Sequence, residues 1–113
     1  MKEIKAYIRV EKAVDVLRAL DEAGIDGVTL IDVMGMGTLA DPQQTKYSIE
    51  YVEKYSRISK LEVVCRDEDV HTIVETIRKA AYTGLRGDGM IYVSPVDMVI
   101  KIRTGAQGES ALS

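Results

Sequence analysis

Ile4, Ala6, Ile8 and Val10 alternate with Lys5, Tyr7 and Arg9, the period-two pattern of a strand with one buried face. From Glu11 to Ala23 the period lengthens. Val14, Leu17, Leu20 and Ala23 fall on one helical face, with Lys12, Asp15, Arg18, Asp21 and Glu22 spread around the others. Gly24 stands where a left-handed residue would end this helix, and Asp26-Gly27 makes a turn. Val28 to Met34 reads as a second strand, closed by Gly35-Met36-Gly37. Ser59 to Arg66 reads as a third, with Leu61, Val63 and Cys65 on one side. Asp67-Glu68-Asp69 suits a helix cap and first turn. Val70, Ile73, Val74, Ile77, Ala80 and Ala81 then form the strongest helical stripe in the chain. A strand over 90–96 follows, with Pro95 at its end or edge. Val96, Met98, Ile100 and Ile102 alternate with Asp97, Val99, Lys101 and Arg103, which predicts a further extended, paired segment. Thr104 to Ser113, with Gly105 and Gly108, predicts a loose tail.

Residues 38 to 57 show no core pattern, and a stretch of that length inside a compact domain is usually a functional or mobile loop. Tyr47, Tyr51 and Tyr55 stand at i, i+4 and i+8, so a helix would align them on one face. The plain reading is a short helix packed by its tyrosines. The reading preferred here is a partner-contacting excursion, since rigid amphipathic Tyr suits interfaces.

The element order is strand, helix, strand, repeated once. Two such units give an α+β, ferredoxin-like βαββαβ sandwich: an antiparallel four-stranded sheet with both helices on one face. The 113 residues make one domain, 1–113. The second sheet face then lacks a cover. Tyr7 and Val99 fall on that side, which predicts an oligomer of cyclic symmetry with its sheet faces packed inward.

Composition narrows the chemistry. All six aromatics are Tyr, so the core must rest on aliphatic side chains. The net charge of -3 argues against general nucleic-acid binding, which needs a basic footprint. The one cysteine, Cys65, allows no internal disulfide and no multi-Cys zinc site, and reads as a buried, inert thiol. The one histidine, His71, lies off the helical stripe and is expected to face solvent, which is poor support for a metal site. A thiol–imidazole pair would need Cys65 near His71, and nothing orients the ring, so no catalytic residue is assigned. No signal-like or membrane-spanning apolar run is seen, and the expected location is cytoplasmic, without membrane insertion.

The stretch that remains is Thr83-Gly84-Leu85-Arg86-Gly87-Asp88-Gly89, three glycines within 84–89 between a helix and a strand. One Gly would end the helix; three let the backbone approach a ligand and form an anion-binding nest. Arg86, Lys101 and Arg103 could add phosphate-pairing charge. The plain reading is a tight connector with solvated charges. It is not a P-loop, because it follows a helix C-terminus, where the dipole disfavours an anion. With Gly35-Met36-Gly37 lining the same cleft, two glycine loops and a cationic cluster point to a phosphate ligand.

The chain resembles the PII signal-transduction proteins over nearly its full length. The matching pieces are Lys2-Glu3-Ile4-Lys5-Ala6, Gly27-Val28-Thr29, Gly35-Met36-Gly37, Asp67–Asp69, Thr83-Gly84, Gly87-Asp88-Gly89, Val93-Ser94-Pro95-Val96 and Ile102-Arg103-Thr104-Gly105. The resemblance implies a homotrimer with ATP, ADP or AMP in clefts between subunits. It also implies a loop at about 37–55 that reports the ligand state to a membrane transporter or metabolic enzyme, and a tail at about 104–113. Carried over, Thr29 and Val64 match positions around the adenine. Gly35, Met36, Gly37, Thr38, Gly87, Asp88, Gly89 and Met90 match the nucleotide-wrapping segments, and Lys101 and Arg103 the phosphate contacts. Tyr51 matches a tyrosine that some members have uridylylated.

Departures from the family pattern are equally specific. Thr38 and Leu39 stand where the family has Arg and Gln, and Leu39 can neither ligate magnesium nor contact 2-oxoglutarate. Neither ligand is therefore expected by the usual route. Ile58 and Met90 replace lysines, and Lys101 replaces an arginine. The expected function is a PII-like nucleotide-responsive regulator, not an enzyme. The alternative is a nucleotide-independent trimeric binding or metal-handling protein of the same fold.

Overall fold

The structure, a computed structural model, describes residues 1–34 and 57–112. The Gly35–Thr38 segment, Leu39 and the three tyrosines Tyr47, Tyr51 and Tyr55 lie outside the described residues, as does the whole 37–55 loop.

Four strands and two helices alternate as the pattern predicts. They are β1 (Lys2–Arg9), α1 (Ala13–Glu22), β2 (Thr29–Met34), β3 (Arg57–Cys65), α2 (Val70–Ala81) and β4 (Gly89–Pro95). All pairings are antiparallel and the sheet order is β2-β3-β1-β4. The register runs Ala6 opposite Leu61 and Ile91, and Leu30 opposite Leu61. Ile4, Ala6 and Ile8 of β1 and Leu61, Val63 and Cys65 of β3 thus share one face. They form a single core with Val16 and Leu20 of α1 and Ile73, Ile77 and Ala81 of α2. Both helices cover that face, and they pack on each other. The ferredoxin-like arrangement is as expected.

The end of α1 shows how local chemistry fixes the fold. Gly24 adopts φ +78. Its N–H donates to Asp21 O at 3.0 Å, and Ile25 N–H donates to Leu20 O at 2.9 Å. This pair is a Schellman motif, with Gly at the left-handed position and Ile25 folded back onto the core.

Val10 and Ala23, expected on buried faces, are exposed, Val10 because β1 ends at Arg9 and the chain turns into a 3-10 segment; four further expectations need correction. Val14 was placed on the buried stripe of α1, yet it is 62% exposed; the buried residues are Ala13, Val16 and Leu20. At 100° per residue, Val14 and Val16 point to opposite sides, so burying Val16 turns Val14 outward. The Asp67–Asp69 run makes no side-chain cap: it forms a 3-10 turn ahead of α2, and Asp67 pairs with the amino terminus at 2.9 Å. Residues 96–103 are not a long strand. Pro95 ends β4, and the chain turns into a small arm with one bridge, Ile100 to Gln107. Val99 is therefore not part of the sheet. The tail expected to be loose from 104 instead closes that arm, Lys101 N–H donating to Ala106 O at 2.9 Å, and continues as a 3-10 turn, Gly108–Leu112.

Among the described residues, the face away from the helices has no covering element. It carries Glu3, Lys5, Tyr7 and Arg9 of β1, Thr29 and Ile31 of β2, Lys60, Glu62 and Val64 of β3, and Met90 and Tyr92 of β4. Tyr7 sits there as expected, edge-on to Tyr92 with ring centroids 5.6 Å apart.

Gly89 is demanded by packing. At φ +105, a Cβ on it would lie 1.7 Å from the carbonyl oxygen of Tyr7 in the neighbouring strand. Gly24 has open space around it and needs only its backbone conformation. Gly24→Ala should therefore cost about 1–2 kcal/mol, the usual penalty of the left-handed region. Gly89→Ala should cost roughly 3 kcal/mol or more, because β4 must also move off β1. Urea unfolding of both variants checks this; equal costs would mean that the β1–β4 approach yields freely.

Candidate functional site

The glycine-rich loop is built around one carboxylate. Helix α2 stops at Ala81, and Tyr82 takes an extended conformation. The next two N–H groups, of Thr83 and Gly84, donate to Asp88 Oδ2 at 2.9 and 3.0 Å. The Thr83 hydroxyl donates to Asp88 Oδ1, and the Leu85 N–H donates to that hydroxyl oxygen at 3.1 Å. From β1, Arg9 Nε donates to Asp88 Oδ1 at 2.9 Å, and Arg9 Nη2 donates to Arg86 O at 2.6 Å. Asp88 thus accepts four hydrogen bonds and draws residues 83–88 onto the end of β1. Burial opposes its ionisation, but the Thr83 hydrogen bonds, with those of Arg9 and Gly84, outweigh it and hold the carboxyl at about 2, below its usual 3.8.

The Asp88 side chain is engaged within the loop, and Gly89 is held to glycine by its strand neighbour; neither contact bears on the backbone approach to a nucleotide expected of both residues. Gly87, at φ +96 and half-buried, and Gly84, at φ +85, are the loop positions whose conformation is set by the turn itself. Arg86 is exposed at the tip. Met90 lies on the open sheet face opposite Tyr7, where the Tyr92 hydroxyl reaches its sulfur at 3.5 Å.

Thr29 and Val64 come together at another place. They line a pocket of about 270 Å³ with Gly27, Glu62, Ala111 and Leu112. Glu62 pairs with Lys60 at 2.7 Å, and the hydrogen bond from that ammonium holds its carboxyl below the usual range. Lys60 also stands 5.9 Å from the Tyr7 ring centroid, within cation–π range.

Lys101 and Arg103 occupy the turn of the C-terminal arm, where Arg103 is exposed and Ile102 is 100% exposed. The arm leaves the sheet at the Met1 end, where Val96 N–H donates to Met1 O at 3.1 Å.

One chain does not bring these groups together. Gly89 pairs with Ile8, whereas Val64 pairs with Glu3 and Thr29 with Glu62. Five residues of β1 separate the two levels, about 17 Å at the rise of a strand, and the outer strands lie about 14 Å apart across the sheet. The glycine loop and the Thr29–Val64 pocket are therefore diagonal corners of the sheet.

Arg9, Glu62 and Leu112 are not singled out by the sequence, and Gly27 only as a turn and family-motif residue. Arg9 looks like any charged residue in the polar phase of a strand, and its partners are 77 and 79 positions away. Gly27 and Glu62 could have been found from the pocket partners Thr29 and Val64, once β2 was paired with β3. Cys65 is buried, and burial pushes its thiol up, in keeping with an inert role. His71 is exposed. Among the described residues, no group of three His, Cys, Asp or Glu could hold a metal ion, and no helix is long and apolar enough to cross a membrane.

Comparison with known proteins gives one answer. The family model for nitrogen regulatory protein P-II matches residues 1–106. The nitrogen regulatory protein P-II 2 of Methanothermobacter thermautotrophicus is 45% identical over 112 residues, covering 99% of this chain and 97% of that protein. The nitrogen regulatory protein P-II of Rhizobium meliloti is 41% identical over 112 residues, covering 99% and 100%. Among solved structures, Arabidopsis thaliana PII bound to citrate superposes with a TM-score of 0.80 at 36% identity, covering 97% of this chain and 90% of that chain.

The Asp88 network has a pH signature. Its carboxyl titrates at about 2 in the folded chain and near 3.8 when released. Its contribution is therefore complete above pH 3.8 and is lost as the pH falls toward 2. At about 1.4 kcal/mol per pKa unit, the contribution is about 2 kcal/mol. Asp88→Asn should lower stability by that order at neutral pH and flatten the acid limb of the stability curve. An Asn variant whose unfolding free energy still falls as steeply as the parent's between about pH 4 and pH 2 would show that other groups carry the effect.

Proposed function

The chain belongs to the nitrogen regulatory protein P-II family, and from that premise we propose that it is a single-domain regulator that binds an adenine nucleotide between the subunits of a homotrimer. The observation that carries this reading is the diagonal separation of the two half-sites. Thr29 and Val64 line a pocket, assigned in this reading to the base, and the Gly84–Gly89 loop lies at the opposite corner of the same sheet. A ligand that uses both must lie between two copies. The open sheet face gives a second copy somewhere to pack, since Ile31, Met90 and Tyr92 are exposed on it.

In this reading Thr29 and Val64 hold the adenine, Gly87 and its neighbours wrap the phosphates, and Lys101 and Arg103 approach from another subunit's arm. Gly35, Met36, Gly37 and Thr38 complete the cleft. The citrate in the Arabidopsis neighbour is a polyanion, which is consistent with a site that accepts negative charge. With Leu39 in place, the ligand is a nucleotide held without the family's usual magnesium and 2-oxoglutarate contacts, and with Met90 it has one phosphate-pairing charge fewer. The 37–55 segment, with Tyr47, Tyr51 and Tyr55, contacts a transporter or metabolic enzyme. The role is regulatory rather than catalytic, and cytoplasmic.

Titration calorimetry with ATP, ADP and AMP, each with and without magnesium and 2-oxoglutarate, tests this reading alongside sedimentation mass. The expected result is a trimer that takes up nucleotide with no dependence on 2-oxoglutarate. Arg103→Ala should weaken binding by about 1.5–3 kcal/mol, the scale of a charge-assisted hydrogen bond. A monomer, or a trimer giving no heat with millimolar nucleotide, would refute the proposal. Gly87→Val is not a clean probe, because at φ +96 any side chain strains the loop.

A further inference from the structure

The last residues of the chain return to the sheet. Gly108–Leu112 form a single 3-10 turn. Gly108 N–H donates to Val99 O at 2.9 Å, and the Ser110 hydroxyl donates to Gln107 O at 2.8 Å. Arg66 Nε and Glu109 Oε2 are 3.9 Å apart. At the end of this turn Ala111 and Leu112 are half-buried against the pocket that holds Thr29, Glu62 and Val64. Leu112 also lines the adjoining pocket of about 280 Å³, beside Ile25, Cys65 and Ile73. With Asp26, Val63 and Val64 it is one of the residues that border both.

We infer that Leu112, carried on the C-terminal 3-10 turn, is an apolar wall of the base pocket and sets the residence time of the bound nucleotide. The inference rests on the nucleotide reading above and adds a contact to the same site. A planar base needs apolar surface on its two faces and polar groups at its edge. Thr29 and Glu62 supply polar groups, and Val64 supplies one apolar surface. Leu112 supplies another. The pocket keeps about 270 Å³ with the turn in place, so the turn frames the space and does not fill it. That is just below the range of about 300–1,000 Å³ typical of whole-ligand sites, and suits a ring system. Among the described residues, the ion pair that links the turn to Arg66, just after β3, is exposed and long, worth little in water, so the turn can swing aside to release ligand.

Stopped-flow dissociation of a ribose-labelled fluorescent ATP tests this on four proteins: the intact chain, a chain ending at Gln107, Leu112→Asp and Leu112→Met. Ligand-free melting temperature and sedimentation mass are measured alongside. Truncation and Leu112→Asp should each speed dissociation by about tenfold or more, the scale of losing one buried aliphatic contact. Leu112→Met should stay within about threefold. Ligand-free stability and mass should not change. Should the truncated chain fail to fold, the two point variants decide the matter. Unchanged or slower release would overturn the inference while leaving nucleotide binding intact. A ligand-free melting temperature that falls in step with the faster release would overturn it too, by making Leu112 merely structural. An intact chain that binds no labelled ATP, and no unlabelled ATP in competition, would overturn the nucleotide reading and this inference with it.

Discussion

The Asp88 carboxylate accepts hydrogen bonds from Arg9, from the Thr83 hydroxyl and from the N–H groups of Thr83 and Gly84. Its neighbours in the fold depend on that arrangement. An extended Tyr82 ends α2, and the N–H groups just after it would otherwise need water. By taking them up, Asp88 turns the chain back sharply enough for Gly89 to enter β4 beside Ile8. Arg9 reinforces the turn from the other side, with a second bond to the Arg86 carbonyl. The result joins the end of β1, the end of α2 and the start of β4 at one corner. The arginine is 16% exposed and the carboxylate 24%. The pair is shielded enough to matter, and its multiple hydrogen bonds offset the desolvation that an isolated partly buried pair would suffer.

A sheet covered on one face only imposes the second constraint. Helices α1 and α2 satisfy the aliphatic face of β1 and β3. The opposite face mixes ion pairs, Lys5 with Glu3 and Lys60 with Glu62, with the Tyr7–Tyr92 contact. That composition is neither a dry core nor an ordinary solvated surface. The ion pairs bring charge partners with them, and the tyrosines add rigid area that tolerates water at one end. Such a face can pack against a symmetry copy without leaving an unpaired charge buried. The sheet geometry also holds the glycine loop and the Thr29–Val64 pocket at opposite corners, so in the proposed reading assembly and ligand binding become the same problem.

Much of this was legible in the sequence because its signals are local. The alternation at Ile4, Ala6 and Ile8 and the stripe at Ile73 and Ile77 each report a face within a few residues. Gly24 reports its own turn. What failed was decided by distant partners. Val14 and Val16 are equally apolar, and only the sheet beneath α1 says which is buried. The acidic run at Asp67 looks like a cap, but the amino terminus, where β1 begins beside the end of β3, takes the first carboxylate. Residues 96–103 alternate like a strand, yet Pro95 has already ended the ladder and Gly105 and Gly108 fold the segment on itself. Arg9 could not be found locally, because its value lies in residues 86 and 88.

The glycine loop shows how a correct pattern can overstate a ligand. Three glycines in six residues suggested a nest of free N–H groups. One of the three, Gly89, is explained by the Tyr7 carbonyl, with no ligand involved. Two of the loop's N–H groups, those of Thr83 and Gly84, are already taken by Asp88. Together with the helix C-terminus before it, the first half of the loop is a poor anion site. Any phosphate must be met by the later half around Gly87 and by cationic side chains. Met90 removes one such charge, and Arg103 lies on an arm that departs from the far end of the sheet. Among the described residues, Arg86 at the exposed tip is the cation that the loop itself carries. In the proposed reading a second copy's arm brings the rest, which ties the loop, the arm and the sheet face away from the helices into a single requirement.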